Sequence, residues 1–386
     1  MSARGTSGDR PGLHLVTTVS HGMETYLAGQ PRQLGARFDV TLVSSPGAGL
    51  QEAGRREGVP VVGVPMTRRI TPGRDARAML RLYRHFRRSR PVIVQTYSPK
   101  AGLIGMTAAR LARVPVRVHG IIGLPLMEAR GVRAHVLRLA ERLTYISATR
   151  LLCNSVGLRG WVNTNLTRRP IDVIGRGSVN GVDTVALRPA SASERQLARR
   201  ALGLEEQDCV FVFLGRLVRD KGVAELVDAF RAVHDVDARS RLVLVGDYED
   251  ESLPRAVHHA IVAHPAILHV GWCQDVRPMY AAADVLVLPS YREGMPNVVL
   301  EAAAMALPVV ATDINGSNEV VVDGENGLLV AAKDADALAA AMQRLLVDAD
   351  RRRMGQRGRS QVEADFDHAT FCARLSDYYD QLLVAR

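Results

Sequence analysis

Residues 291–310, YREGMPNVVLEAAAMALPVV, set two carboxylates, Glu293 and Glu301, around the start of a predicted helix that follows an apolar run. The run before it, AAADVLVLPS, reads as a buried strand ending at Pro289, and Gly294 supplies the loop. Pro296 suits the first helical position, where its missing N–H would have no partner, so the helix is predicted to start there. Its free N–H groups and the positive end of its dipole would meet an anionic diphosphate. A glutamate is an acceptor and suits hydroxyl donors such as those of a ribose or hexose. Asn297 and Glu301, four apart, share a helix face, and Glu293 stays in the loop.

Strand and helix signals alternate along the whole chain in the manner of doubly wound parallel sheets. LHLVTTV, FDVTLVS, VPVVGV, PVIVQT, VPVRVHG and TRLLCNS are the strands predicted in the first half. CVFVFLG, RLVLVGD, AILHVGW, DVLVLPS, PVVATD and GLLVAA repeat the pattern in the second. The stretch GRGSVNGVDTVALRPASAS, rich in Gly, Ser and Pro, is the predicted linker. This gives an N-terminal domain over 1–183, a second over 184–368, and a terminal helix over 369–386 predicted to pack back on the first. Ligands of such sheets bind at the carboxyl ends of strands, and two facing domains would place the site in the cleft between them.

Composition excludes several classes. With 386 residues and 47% hydrophobic content the chain can bury two ordinary cores. Cys153, Cys209, Cys273 and Cys372 are scattered and form no C-x-x-C pair, which argues against a zinc site or disulfide framework. The D-x-D matches at Asp235, Asp334, Asp348 and Asp365 fall in helical or linker stretches, so no metal site is predicted. MSARGTSGDR is polar, LHLVTTV is too short for a signal core, and no apolar run reaches spanning length, so a cytoplasmic protein without transmembrane helices is expected.

Charge is uneven. Residues 1–183 carry 28 Lys+Arg against 10 Asp+Glu, and residues 184–386 carry 22 against 30, so a half at +18 precedes a half at −8. A cationic half implies an anionic partner, such as a phospholipid headgroup or a phosphate-bearing acceptor. In RRITPGRDARAMLRLYRHFRRSR, Arg77, Arg81, Arg84 and Arg88 form a basic stripe at steps of 4, 3 and 4. Met79, Leu80, Tyr83 and Phe86 add apolar surface, so the helix either lies on an anionic membrane or packs on a sheet with its arginines in water. Few aromatics interleave with the basic segments, and no zinc-finger, RRM or basic-zipper signature is present; nucleic acid is not an expected partner.

Further candidates lie at predicted strand ends. FLGRLVRDKG puts Arg216 and Lys221 after the first strand of the second half, with Gly215 and Gly222 allowing close approach to a ligand. Lysine is rare here, with only Lys100, Lys221 and Lys333 against 47 Arg, and a compact ammonium serves as a point charge on a diphosphate. VPVRVHGIIGLP puts His119 at a strand end; a lone His is more often structural, and the chain has eleven. SPKAGLIGMTAARLARVP puts Lys100 at a predicted helix start, and TTVSHGMETYLAGQ puts His21 and Gly22 at the first helix.

The Glu, seven residues, Glu spacing of Glu293 and Glu301, with EGMPN before it and the order of elements from LHLVTTV to DYYDQLL, resembles retaining glycosyltransferases of family 4. The resemblance implies the α/β GT-B fold, two Rossmann-like domains facing across a cleft, and a transferase working without an essential divalent ion. It implies that Glu293 contacts the donor sugar, Glu301 the ribose, and Arg216 and Lys221 the donor phosphates, where they would stabilise the charge on the departing nucleotide. Gly215, Gly294, Met295, Pro296 and Asn297 would complete the donor site, Gly22 would neighbour the diphosphate, and His119 would position the transferred sugar. The donor implied is a nucleoside-diphosphate sugar, with UDP expected and the backbone of Gly271–Gln274 approaching the base. The Pro-Lys-Ala-Gly segment is similar to the branch acting on polyprenyl-diphosphate-linked sugars, where Lys100 would face an acceptor phosphate. Gln95-Thr96-Tyr97 departs from the His-rich triplet often found there, which leaves the acceptor open between a lipid-linked sugar and a soluble product such as an aminocyclitol. A nucleotide-sugar epimerase of the same fold is an alternative, and a non-catalytic binding protein a weaker one.

Overall fold

The computed structural model describes residues 10–67, 71–127, 129–249 and 253–384. The polar leader over 1–9 and Arg68 and Arg69 of the basic segment lie outside the described residues. The chain forms two compact units, the division falling after Gly181 and again after Asp367. The Val182 N–H donates to the Phe366 carbonyl at 2.8 Å and Thr184 Oγ1 to Asp367 Oδ1 at 2.8 Å. Those bonds draw most of the predicted linker into the second unit and end each unit slightly earlier than the predicted 183 and 368.

The strands of the first unit are β1 Gly12–Val16, β2 Asp39–Ser44, β3 Val61–Gly63, β4 Ile93–Tyr97, β5 Val116–Ile121, β6 Arg150–Cys153 and β7 Ile171–Val173. Those of the second are β8 Cys209–Leu214, β9 Ser240–Val245, β10 Ile267–Gly271, β11 Val285–Leu288, β12 Val309–Thr312 and β13 Gly327–Val330. Both sheets are parallel, in the orders β3-β2-β1-β4-β5-β6-β7 and β10-β9-β8-β11-β12-β13. Twelve strands match the apolar runs; β7 is the addition, an edge strand whose short apolar run is broken by Asp172.

A parallel strand covered by helices on both faces is apolar along its whole length, which is why these runs do not alternate. All six residues of β8 are buried, and Phe211 and Phe213 are fully enclosed. Each such ring contributes about 2–3 kcal/mol of transfer free energy. In the first unit, one face of the sheet packs against Ala78, Leu82 and Phe86 of the helix Pro72–Ser89, Ala108 and Ala109 of the helix Thr107–Leu111, and Tyr145 of the helix Gly131–Ser147. The opposite face receives Phe371, Leu375 and Tyr379 of the terminal helix His368–Val384, which belongs to the first unit. Tyr379 Oη donates to Gln95 Oε1 at 2.5 Å and Tyr378 Oη to Asp172 Oδ2 at 2.7 Å, tying that helix to β4 and β7.

Candidate functional site

In each sheet the chain turns one way from a central strand and then the other, so the connections diverge at one seam. The seam lies between β1 and β4 in the first unit and between β8 and β11 in the second. Loops leaving the carboxyl ends of strands at such a seam are where open α/β sheets hold ligands.

At the second unit's seam the loops after β8 and β11 are stitched together. Lys221 Nζ meets Glu293 Oε1 at 2.5 Å, with both side chains mostly shielded, 19% and 14% exposed. The Tyr291 N–H donates to the Asp220 carbonyl at 2.8 Å, and Arg292 Nη2 donates to Asp220 Oδ2 at 3.0 Å. Tyr291 Oη donates to Glu225 Oε1 at 2.5 Å; burial, then this carboxylate, pushes the phenol up to about 12. Lys333 Nζ lies 4.8 Å from the centre of the Tyr291 ring, a cation–π distance, so two of the three lysines of the chain attend this loop.

Two glycines make the close approach possible. Gly222 has φ +69°, and a Cβ there would stand 2.1 Å from the Pro289 carbonyl oxygen. Only glycine lets the Lys221 turn lie against the end of β11. Gly316, φ +82°, touches the Gly294 carbonyl in the same way, with a Cβ at 2.5 Å, and props the loop from the β12 side. Gly215 ends β8 with its N–H on the Val245 carbonyl at 2.9 Å.

The helix after this loop runs Asn297–Ala304, one residue later than predicted. Pro296 is its N-cap, and ψ of 108° keeps it extended rather than helical. Val299, Leu300, Ala302, Ala303 and Ala304 are buried, which leaves Asn297 and Glu301 on the part-exposed face; Met295 and Pro296 are buried beneath the loop. Glu301 Oε2 accepts from Tyr280 Oη at 2.8 Å. Burial raises the Glu301 carboxyl above its ordinary range, and the tyrosine bond works the other way. Tyr280, from the helix Arg277–Ala282, had no signal in the sequence, since one tyrosine in a short helix reads as core.

Arg216 stands apart from the Lys221–Glu293 pair. Its Nη1 meets Glu249 Oε2 at 2.5 Å, both side chains 54% exposed. Gly271 ends β10, the edge strand, and the Trp272 N–H donates to Asp247 Oδ1 at 3.1 Å.

The first unit treats its candidates differently. His119 lies in β5 two residues before the strand ends and is 1% exposed. Its Nδ1 and Thr96 Oγ1 are 2.9 Å apart, the Tyr145 ring lies tilted against it with centroids 6.0 Å apart, and Gly102 sits so close that a Cβ would come within 2.3 Å of the imidazole. Burial holds the imidazole down at about 3, hence neutral. The strand-end position does not leave the ring open, because alternation along β5 turns residue 119 toward the packed helices. Lys100 is likewise engaged inside its own unit, its Nζ 2.8 Å from Asp75 Oδ1 in the first turn of the 72–89 helix. Gly22 is the second residue of the helix His21–Tyr26, where a Cβ would find only ordinary contacts at 3.7 Å. Arg77, Arg81, Arg84 and Arg88 are all exposed, while Ala78, Leu82 and Phe86 face the core, so the helix packs on the sheet and presents its arginines at the surface. Arg77 and Arg81 join Arg74 along an open pocket whose far side is Ser45, Met66 and Thr67. Among the described residues no group of three or more His, Cys, Asp or Glu side chains is gathered for a metal, and no helix is long and apolar enough to cross a membrane.

Residues 208–348 match the model for glycosyl transferases group 1, and residues 21–177 match the glycosyl transferase 4-like domain. The chain is 31% identical to the capsular polysaccharide biosynthesis glycosyltransferase CapM of Staphylococcus aureus over 96% of this chain and 97% of that protein. It is 29% identical, over 90% of each, to the Escherichia coli UDP-Gal:alpha-D-GlcNAc-diphosphoundecaprenol alpha-1,3-galactosyltransferase. Among solved structures, Anabaena HepE in complex with UDP and glucose superposes with a TM-score of 0.80 at 19% identity, covering 96% of this chain and all of that one, a likeness of fold. Two parallel-sheet α/β units of the GT-B class, built from these two domain types, identify the chain as a glycosyltransferase belonging to the group 1, family 4-type enzymes.

Proposed function

We propose that the chain is a retaining glycosyltransferase that moves a sugar from a UDP-sugar to a hydroxyl of a lipid-linked sugar in cell-surface polysaccharide synthesis, working without a metal ion at an anionic membrane surface. The observation that carries this reading is the Lys221–Glu293 pair at the β8/β11 seam. It presents a cation for a diphosphate and a carboxylate for sugar hydroxyls within one hydrogen bond of each other. CapM supports the role in polysaccharide synthesis, the galactosyltransferase named for a diphosphoundecaprenol-linked sugar supports the acceptor class, and the UDP complexes of HepE support the nucleotide.

In the proposed reaction Lys221, with Arg216 released from Glu249, neutralises the diphosphate as the bond from the anomeric carbon to the phosphate oxygen breaks. Glu293 holds the sugar by its hydroxyls, Glu301 the ribose, and Asn297 adds a polar group to the same helix face. Gly215, Gly294, Met295 and Pro296 shape the backbone beside the phosphates. The acceptor oxygen bonds to the anomeric carbon on the face the phosphate leaves, and its proton passes to the departing phosphate oxygen. His119, neutral and enclosed, acts as a positioning residue. The first domain takes the acceptor, whose phosphate suits the pocket lined by Arg74, Arg77 and Arg81.

The test is turnover of UDP-glucose, UDP-galactose, UDP-N-acetylglucosamine and GDP-mannose by the purified chain, with the anomer of the product read by NMR. An α-linked product from an α-linked UDP donor is expected. A β-linked product would overturn retention, and turnover of the GDP donor alone would overturn the nucleotide.

A further inference from the structure

The helix Gly131–Ser147 buries Glu141, Thr144, Tyr145 and Ser147 and turns a row of large apolar side chains to solvent. Val132 is 81% exposed, Val136 48%, Leu139 60%, Leu143 47% and Ile146 60%. Their steps of 4, 3, 4 and 3 keep them on one face, a stripe of about 21 Å at 1.5 Å per residue. Leu111, 58% exposed, extends it, because Arg110 Nη1 donates to the Ile146 carbonyl at 3.2 Å and joins the two helix ends. An apolar row of this length on a monomeric surface needs a partner.

The charges around it are of one sign. Arg110, Arg113, Arg130, Arg133 and Arg142 are exposed, and the acid described on this helix, Glu141, points inward. We propose that this face docks on an anionic bilayer, the apolar row entering the boundary between headgroups and acyl chains while the arginines meet lipid phosphates. The proposal rests on the reading that the acceptor is lipid-linked, and it names the surface that reaches it. Charge decides between a bilayer and a second copy of the chain: pairing two such faces would set five arginines against five, with no described exposed carboxylate between them. The 72–89 helix, packed on the same side of the sheet, adds its arginines but exposes Leu80 alone among large apolar residues. It attracts through charge, whereas the 131–147 helix inserts.

The full chain is sedimented with vesicles of phosphatidylglycerol and phosphatidylcholine, and with phosphatidylcholine alone, without donor or acceptor, so that the outcome is independent of the proposed reaction. Wild type is expected on the anionic vesicles. Leu139→Gln, Leu143→Gln and Ile146→Gln combined should weaken that binding by about tenfold or more, including at low salt, since exposed apolar area drives insertion. Arg133→Gln with Arg142→Gln should weaken it chiefly at low salt, where the attraction to headgroup phosphates is least screened. The circular dichroism spectrum and urea midpoint of both variants should match wild type, showing that the fold is kept. Equal partitioning of wild type and the triple variant would overturn the proposal. So would a wild-type dimer that the triple variant converts to monomer in analytical ultracentrifugation, with neither binding vesicles.

Discussion

The two sheets share one design and use their seams differently. At β8/β11 the adjoining loops bring together opposite charges, Lys221 with Glu293 and Arg292 with Asp220. At β1/β4 the adjoining loops meet through neutral hydroxyls, Thr18 Oγ1 and Ser98 Oγ at 3.0 Å, while Lys100 and His119 are engaged within their own unit. Charges held part-exposed at a seam can be exchanged for a ligand's charges. Hydroxyls and buried partners preserve a shape. The proposed division of labour follows from this: anion chemistry at the seam of the second unit, and presentation of the acceptor by the first.

The strongest way to break that contrast is to remove charge from each seam. Glu293→Gln, and separately Lys221→Met, should lower kcat by about a hundredfold to a thousandfold, the scale for losing a preorganised group beside developing charge. Ser98→Ala should cost less than about tenfold, since a neutral hydrogen bond is worth roughly 1 kcal/mol. Steady-state kinetics on the three variants checks this. Similar losses at both seams would show that the first unit carries chemistry as well.

The same contrast explains what could be read in the sequence. Twelve strands were legible because parallel strands buried on both faces are continuous apolar runs, and β7 was not, because Asp172 breaks the apolar run of this edge strand. The Glu293, Asn297 and Glu301 arrangement was legible because a loop and one helix turn set it locally. Gly222 marked the close approach, but its contact with Pro289 depends on sheet order. The surroundings of His119 and Lys100 were not legible because they are non-local: Gly102 and Tyr145 close over the imidazole, and Asp75, twenty-five residues from Lys100, takes its ammonium. The Val132 to Ile146 row has a readable period, yet periodicity alone does not say which side of a helix meets the core.

A smaller effect tests the claim that the first unit keeps its polar groups enclosed. Glu141, 3% exposed beside Tyr145, is pushed up to about 7 by burial. Between pH 4.5 and 7 the folded state keeps a proton the unfolded state has lost, so stability falls as pH rises through that window and stays low above it. Glu141→Gln removes the penalty. The variant should gain about 2 kcal/mol over wild type on going from pH 5 to pH 8, since each tenfold difference in proton affinity between the two states is worth roughly 1.4 kcal/mol. Urea unfolding at the two pH values measures it. His119, held at about 3, works in the opposite sense: it is neutral when folded, and its contribution is lost as pH falls below 6.5. A pH-independent difference between variant and wild type would mean that Glu141 is ionised in the fold.

The smallest expected effect concerns Arg216, whose partner Glu249 is as exposed as itself. An ion pair in water contributes little, typically below about 1 kcal/mol, because solvent screens it and two long side chains must be held still. Glu249→Gln should therefore leave the urea midpoint almost unchanged. Its effect on a diphosphate should be larger than its effect on stability. In wild type the incoming anion has to displace a carboxylate at 2.5 Å from the guanidinium, and in the variant it meets a neutral amide. UDP affinity by calorimetry is expected to rise by about twofold to fivefold at low ionic strength, with the gain fading as salt screens both interactions. Unaltered UDP affinity would detach Arg216 from the phosphates and leave Lys221 as the cation of the seam. A large loss of stability would instead make the Arg216–Glu249 pair a structural element, and the charged seam of the second unit would end at Lys221 and Glu293.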